Sequence, residues 1–210
     1  MDLYLFDFDE TLYDYNFRLR LPALSLVTGL SQYRLAKDWW SAGFERRAEA
    51  GEWPTATEYL SEFNRQTGAH LTLEAWRETR MLASTRIEAS VAALRRASML
   101  GTVGVLTNNP SPFAESFEIL APDVAEIVGD NVLVSSDLGV RKPDAEIYRR
   151  AMDRFGAIPQ DTFFTDDSAS NVAGAAALGI HAYRIEWVDD APQTDGLDAA
   201  IAAFAKRGKG

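Results

Sequence analysis

The chain has 210 residues, 47% of them hydrophobic, which suits one domain with an insertion or two small domains and is too apolar for a disordered chain. Its formal net charge of -10 disfavours a nucleic-acid polymer or an anionic membrane surface as the main partner. Cysteine is absent, which removes disulfide scaffolds, thiol nucleophiles and cysteine-type zinc sites. Only His70 and His181 offer imidazole, and both are expected to be ordinary loop or core-edge residues. Met1 to Tyr4 lacks a basic region followed by an apolar one, and no apolar run is long enough to span a bilayer. A cytoplasmic protein is therefore expected.

Leu3 to Phe8 is a short apolar run that ends among Asp7, Asp9 and Glu10, as a buried parallel strand does when polar residues gather at its C-terminal end. Similar runs follow at Thr102 to Leu106, Val132 to Val134, Thr162 to Thr165 and Ile180 to Ile185. Helical spacing separates them. Val91, Leu94 and Ala97 precede the second strand. Ile147, Ala151 and Phe155 follow the third and stop at Gly156, and Val172, Ala175 and Leu178 follow the fourth and stop at Gly179. Asp198 to Phe204 reads as a last helix, and Lys206 to Gly210 as a frayed tail. Alternating strands and helices predict an α/β fold, a three-layer doubly wound parallel sheet of Rossmann-like type.

Asp14 to Ser90 shows no strand pattern and reads as an inserted set of helices. Ser31 is placed to cap one, with Tyr33, Ala36, Trp40 and Phe44 on a common stripe. Thr55 and Glu58 have the spacing of a capping box, with Tyr59, Leu60 and Phe63 on one side and Gly68 as the stop. Leu73, Trp76 and Met81 belong to a further helix. Trp39, Trp40, Phe44 and Trp76 are expected to form the core of the insertion, and Arg18, Arg20, Arg46 and Arg47 its surface. The organisation predicted is thus 1–13 as the first strand of the core, 14–90 as a helical cap, and 91–210 as the rest of the core.

Ligands of open parallel sheets bind at the C-terminal strand ends. Here those ends carry Asp7 and Asp9, then Thr107 and Asn108, then Asp166 and Asp167, with Lys142 after the third strand. Each cluster alone has an ordinary explanation: an acidic turn, turn chemistry before Pro110, a helix N-terminus, a loop lysine. Together they gather carboxylates that repel one another, a conflict that a hard divalent cation such as magnesium relieves. A carboxylate nucleophile beside such a metal, with hydroxyl, amide and ammonium donors, suits phosphoryl transfer through an aspartyl-phosphate.

Asp7-Phe8-Asp9-Glu10-Thr11-Leu12 resembles the DxDxT motif of the haloacid dehalogenase superfamily. Leu106-Thr107-Asn108 is similar to its second motif, Gly139 to Tyr148 (GVRKPDAEIY) to the lysine segment of its helical-cap branch, and Phe163 to Ser168 to its acidic fourth motif. All stand in the family's order across the whole chain. The resemblance implies Asp7 as nucleophile and Asp9 as general acid and base. It implies magnesium on the Asp7 carboxylate, the Asp9 backbone carbonyl and the Asp167 carboxylate, with Asp166 binding the metal or orienting a metal-bound water. It implies Thr107, Asn108 and Lys142 as phosphate-binding residues. Asp9 favours a phosphatase over a dehalogenase, because a halide leaving group needs no acid. The wording around Asp9 looks like the branch of pyrimidine 5'-nucleotidases and sugar-phosphate phosphatases, so a small phosphorylated metabolite is the expected substrate. A phosphomutase, a phosphoacceptor signalling module and a non-catalytic phospho-ligand-binding protein are the alternatives.

Overall fold

Four consecutive apolar side chains at Leu3–Phe6 (β1) are all buried, and they form the central strand of a five-stranded parallel sheet. The computed structural model describes residues 1–207, so residues 208–210 of the predicted tail lie outside the described part. After β1 the strands are Tyr13–Tyr15 (β2), Ser84–Arg86 (β3), Thr102–Thr107 (β4), Val132–Val134 (β5), Thr162–Asp166 (β6), His181–Arg184 (β7), Glu186–Val188 (β8) and Ala191–Gln193 (β9). The order in the main sheet is β5-β4-β1-β6-β7. Strand alternation sends Tyr4 and Phe6 to one face and Leu3 and Leu5 to the other. Helices Glu88–Ser98, Pro122–Val128 and Leu197–Lys206 cover the first face through Val91, Leu94, Val124 and Phe204. Helices Ala145–Phe155 and Ala169–Ala176 cover the second through Ile147, Tyr148, Ala151 and Ala175. This is the predicted three-layer, doubly wound arrangement. Its chain reversal flanks β1 with β4 and β6, which opens a crevice at their C-terminal ends.

The insertion is helical, but the sequence expectation that it holds no strand is corrected. β2 and β3 pair antiparallel, Tyr13 with Arg86 and Tyr15 with Ser84, and tie the two ends of the insertion together. Three-residue strands are too short to show a period of two. Between them run helices Phe17–Thr28, Gln32–Leu35, Phe44–Glu49, Ala56–Thr67 and Leu73–Leu82. The predicted capping box is present: Thr55 Oγ1 accepts from the Glu58 N–H at 3.2 Å, and Glu58 accepts from the Thr55 N–H at 3.1 Å.

Of the stripe predicted through Tyr33, Ala36, Trp40 and Phe44, Trp40 and Phe44 pack against the core, but Tyr33 does not. Ala36–Ser41 is a π-helical turn. Leu35 and Trp39 are fully buried instead, while Tyr33 is 75% exposed. Trp39 packs on Phe44, Trp53, Tyr59 and Phe63, with ring centroids 5.0–5.8 Å away. Arg20, expected at the surface, is also buried. Its guanidinium lies 4.7 Å from the centre of the Trp76 ring, so an aromatic face takes the place of water. Arg18, Arg46 and Arg47 are exposed, as are His70 and His181. The β8–β9 hairpin was not foreseen; its turn residues Asp189 and Asp190 both have positive φ, at 51° and 57°. No helix among the described residues is long and apolar enough to cross a membrane.

The shifted register is testable by urea denaturation. Trp39→Ala is expected to cost about 3–5 kcal/mol, and Tyr33→Ala no more than about 0.5 kcal/mol. Similar costs for both would return the stripe to its predicted residues.

Candidate active site

Lys142 is the point on which the strand ends converge. Its ammonium is fully buried, donates to Asp166 Oδ2 at 2.6 Å and to the Leu106 carbonyl at 2.9 Å, and forms an ion pair with Asp7 Oδ1 at 2.8 Å. Burial alone would lower its pKa, but Asp166 and Asp7 outweigh burial and hold it above the ordinary lysine value. The backbone at Lys142 is fixed as well. Asn108 Oδ1 accepts from the Lys142 N–H at 2.8 Å, and Asn108 Nδ2 donates to the Lys142 carbonyl at 3.0 Å. The predicted phosphate-binding side chain of Asn108 is therefore already engaged in holding the lysine loop.

Asp7 lies just past β1, and its Oδ1 also accepts from the Phe8 N–H at 2.7 Å. No hydrogen bond to its Oδ2 occurs among the described residues. Asp166 ends β6 and has both oxygens occupied. Oδ1 accepts from the Ser168 N–H at 2.8 Å, and Asn171 Nδ2 bridges the two oxygens at 3.1 Å each. Carboxylate oxygens of Asp7, Asp166 and Asp167 all lie within 4.8 Å of one another. Burial, then repulsion from Asp166, pushes the Asp7 carboxyl well above the usual carboxylate range, although Lys142 opposes both. Burial and Asp166 likewise push Asp167 up to about 6. Such crowding of hard oxygen donors fits a small divalent cation, whose charge would offset the repulsion.

Asp9 stands outside that cluster and faces a cavity of about 290 Å³. Tyr15, Trp40, Glu45, Glu49 and Arg80 line the side of this cavity formed by β2 and the insertion, and Asn108 and Asn109 line the sheet side. Asp9 Oδ1 accepts from the Arg80 guanidinium, and Oδ2 accepts from Asn109 Nδ2 at 3.0 Å. The same Asn109 nitrogen donates to Thr107 Oγ1 at 2.9 Å, which leaves the Thr107 hydroxyl proton free to point elsewhere. Glu49 also pairs with Arg141 at 2.6 Å, joining the insertion to the residue before Lys142.

All seven predicted residues, Asp7, Asp9, Thr107, Asn108, Lys142, Asp166 and Asp167, thus meet at one sheet edge. Two further residues contact Asp9 without having been predicted to. Asn109 adjoins the second motif and passed for turn chemistry before Pro110. Arg80 follows Trp76 by one helical turn, and an arginine on a buried helical stripe was the signal for it.

Known proteins resemble this chain in sequence and in fold. A family model described as haloacid dehalogenase-like hydrolase matches residues 1–179. Phosphatase MT3486 of Mycobacterium tuberculosis is 28% identical over 187 residues, covering 87% of this chain and 86% of that protein. (S)-2-haloacid dehalogenase 4A of Burkholderia cepacia is 30% identical over 91 residues, 43% of this chain and 38% of that one. The HAD family enzyme BT-2542 of Bacteroides thetaiotaomicron superposes with a TM-score of 0.73 at 17% identity, covering 89% of this chain and 94% of that chain. That enzyme has also been solved in complex with magnesium and inorganic phosphate.

Replacing Lys142 by Met should leave Asp7 and Asp166 buried without their counter-charge. In chelator-treated protein, urea unfolding at pH 7 should show a loss of about 3–5 kcal/mol. Orphaned carboxyls gain pKa in the folded state and so favour folding when protonated. The deficit should therefore grow as pH rises from 5 to 8 and shrink as it falls. A deficit independent of pH would mean that packing, not charge, is what Lys142 supplies.

Proposed function

The chain belongs to the haloacid dehalogenase-like hydrolases, and from that membership we propose that it is a magnesium-dependent phosphatase of a small phosphorylated metabolite. The observation that carries the reading is the pairing of Asp7 with Asp9. Asp7 has one oxygen fixed by Lys142 and the Phe8 amide and the other free of hydrogen bonds among the described residues. Asp9, two positions on, faces the cavity where a leaving alcohol would sit.

In this reading the free Asp7 oxygen attacks phosphorus, and the bond from phosphorus to the substrate oxygen breaks. Asp9, as the carboxylic acid, gives its proton to the departing alkoxide. Asp9, now a carboxylate, takes a proton from water; that water attacks phosphorus, the bond to Asp7 breaks, and inorganic phosphate leaves. Thr107, Asn108 and Lys142 form the phosphate cradle: Thr107 through its hydroxyl, Lys142 through its charge, and Asn108 by holding the lysine in place. Asp7, the Asp9 carbonyl and Asp167 would hold magnesium. Both Asp166 oxygens already accept hydrogen bonds, which supports its orienting role over direct ligation. When bound, the metal would neutralise charge on the transferring group. Residues 14–90 serve as a cap over the core formed by 1–13 and 91–210, excluding water and choosing the substrate. A dehalogenase, such as the Burkholderia relative, would have no use for Asp9 as an acid.

Hydrolysis of p-nitrophenyl phosphate tests this directly. Asp7→Asn is expected to lower kcat by at least about a thousandfold, and chelation of the metal to abolish turnover until magnesium is restored. Full activity in either case removes the corresponding assignment. A second measurement addresses Asp9. Asp9→Asn should cost about 10²–10⁴-fold with alkyl phosphates and markedly less with the aryl ester, whose leaving group needs little protonation. Turnover of 2-chloropropionate with none of any phosphate ester would favour a dehalogenase.

A further inference from the structure

Asp9 is gripped from two sides that belong to different parts of the molecule. Asn109, on the sheet side, holds Oδ2 at 3.0 Å, and Arg80, on helix Leu73–Leu82 of the insertion, holds Oδ1. Arg80 is only 4% exposed, whereas the Asp9 side chain is 23% exposed. Its guanidinium sits 3.8 Å from the centre of the Tyr15 ring and 5.4 Å from that of Phe113. Tyr15 belongs to β2 and Phe113 to the helix Ser111–Ala114 that follows β4, so the socket for Arg80 spans insertion and core. A planar guanidinium stacked on rings has little freedom to turn, which makes it a rigid partner for a carboxylate.

The insertion has other contacts with the core. Arg77 Nε donates to Ser116 Oγ at 2.7 Å, the Ala56 N–H donates to Glu115 at 2.7 Å, and Glu49 pairs with Arg141 at 2.6 Å. Arg80 is therefore not the sole fastener, and it is the insertion's direct hold on Asp9.

We infer that Arg80 is a positioning residue: it aims Asp9 at the leaving oxygen, so that proton transfer is assembled only when the insertion is seated on the sheet. This rests on the phosphatase reading above. Losing one of its two grips leaves Asp9 free to turn away from the reacting oxygen, and a small misplacement of a catalytic group is costly in rate. Asp9 serves both transfer to Asp7 and the later attack of water, but kcat/KM reports the first of these, so there the penalty scales with how much the leaving group needs a proton.

A series of substituted phenyl phosphates, from p-nitrophenyl to unsubstituted phenyl, tests the inference. Arg80→Met is expected to lower kcat/KM by about 10–100-fold for phenyl phosphate and by less than about threefold for p-nitrophenyl phosphate, with KM little changed. Arg80→Lys, which keeps the charge without the fork, should recover part of the loss and guards against a variant that fails to fold. In an Asp9→Asn background, Arg80→Met should add less than about a twofold further loss, because its effect runs through Asp9. Equal losses across the series, or losses that multiply in the double variant, overturn the assignment. A p-nitrophenyl phosphatase activity that survives Asp7→Asn would instead remove the underlying mechanism, a result distinct from either.

Discussion

A buried ammonium with no water around it is stable only where protein groups take water's place. Lys142 meets that demand with Asp7, Asp166 and the Leu106 carbonyl, and so fixes three pieces of chain at once. The first is the end of β1, the second the end of β6, and the third the last turn of β4. These three strands are adjacent in the sheet, with β1 between the other two. The lysine therefore does more than offset the charge of Asp7. It sets the spacing of the strand ends from which every other group in the site projects. Asn108 then closes the arrangement by bracketing the lysine's own peptide, so the charge cannot shift without breaking hydrogen bonds on both sides.

That single cation does not balance the carboxylates around it. Asp7, Asp166 and Asp167 crowd within 4.8 Å, and burial with mutual repulsion raises the pKa values of Asp7 and Asp167. A site in this condition is short of positive charge by design of its sequence. The chain as a whole, acidic at -10, does not offset the shortage. A phosphate dianion approaching such a surface would be repelled unless a further cation joined it. Metal and substrate are thus linked by the same electrostatic deficit, which is why the cofactor and the reaction are proposed together.

The sheet was legible in the sequence because its strands are fully buried and read as apolar runs with polar ends. Leu3 to Phe8 and Thr162 to Thr165 are of this kind, and the four-motif order placed Asp7, Lys142 and Asp167 without any coordinates. What escaped has physical causes. β2 and β3 carry three residues each and leave no periodic trace. Helix Gln32–Leu35 is a single turn, too short for periodicity to tell Tyr33 from the buried Leu35, and the π-helical turn that follows departs from the 3.6-residue rhythm. Arg20 was hidden by the habit of assigning arginine to solvent, and Arg80 carried no motif that singled it out. Both are buried against aromatic rings, Trp76 for one and Tyr15 for the other. The roles of Asn109 and Arg80 also depend on a contact between segments 71 and 100 positions from Asp9, which no local pattern encodes.

The division of labour in the site follows from these distances. In the proposed mechanism the groups that would bind and attack phosphorus come from strand ends held together by Lys142. The group assigned to carry the proton is different. Asp9 extends beyond those strand ends, into the 290 Å³ cavity between sheet and insertion, and takes its orientation from one residue of each. The rigid part of the site can therefore be complete while its acid is not. A substrate that lets the insertion settle around it would complete the acid as a consequence of fitting, whereas water in the same cavity would not. Placing half of Asp9's support on Arg80 ties the choice of leaving group to the seating of the helices that line it. In that mechanism Asp7 and its cradle would recognise the phosphoryl group common to every ester, and the Arg80–Asp9 contact is where the rest of the molecule would be asked to fit.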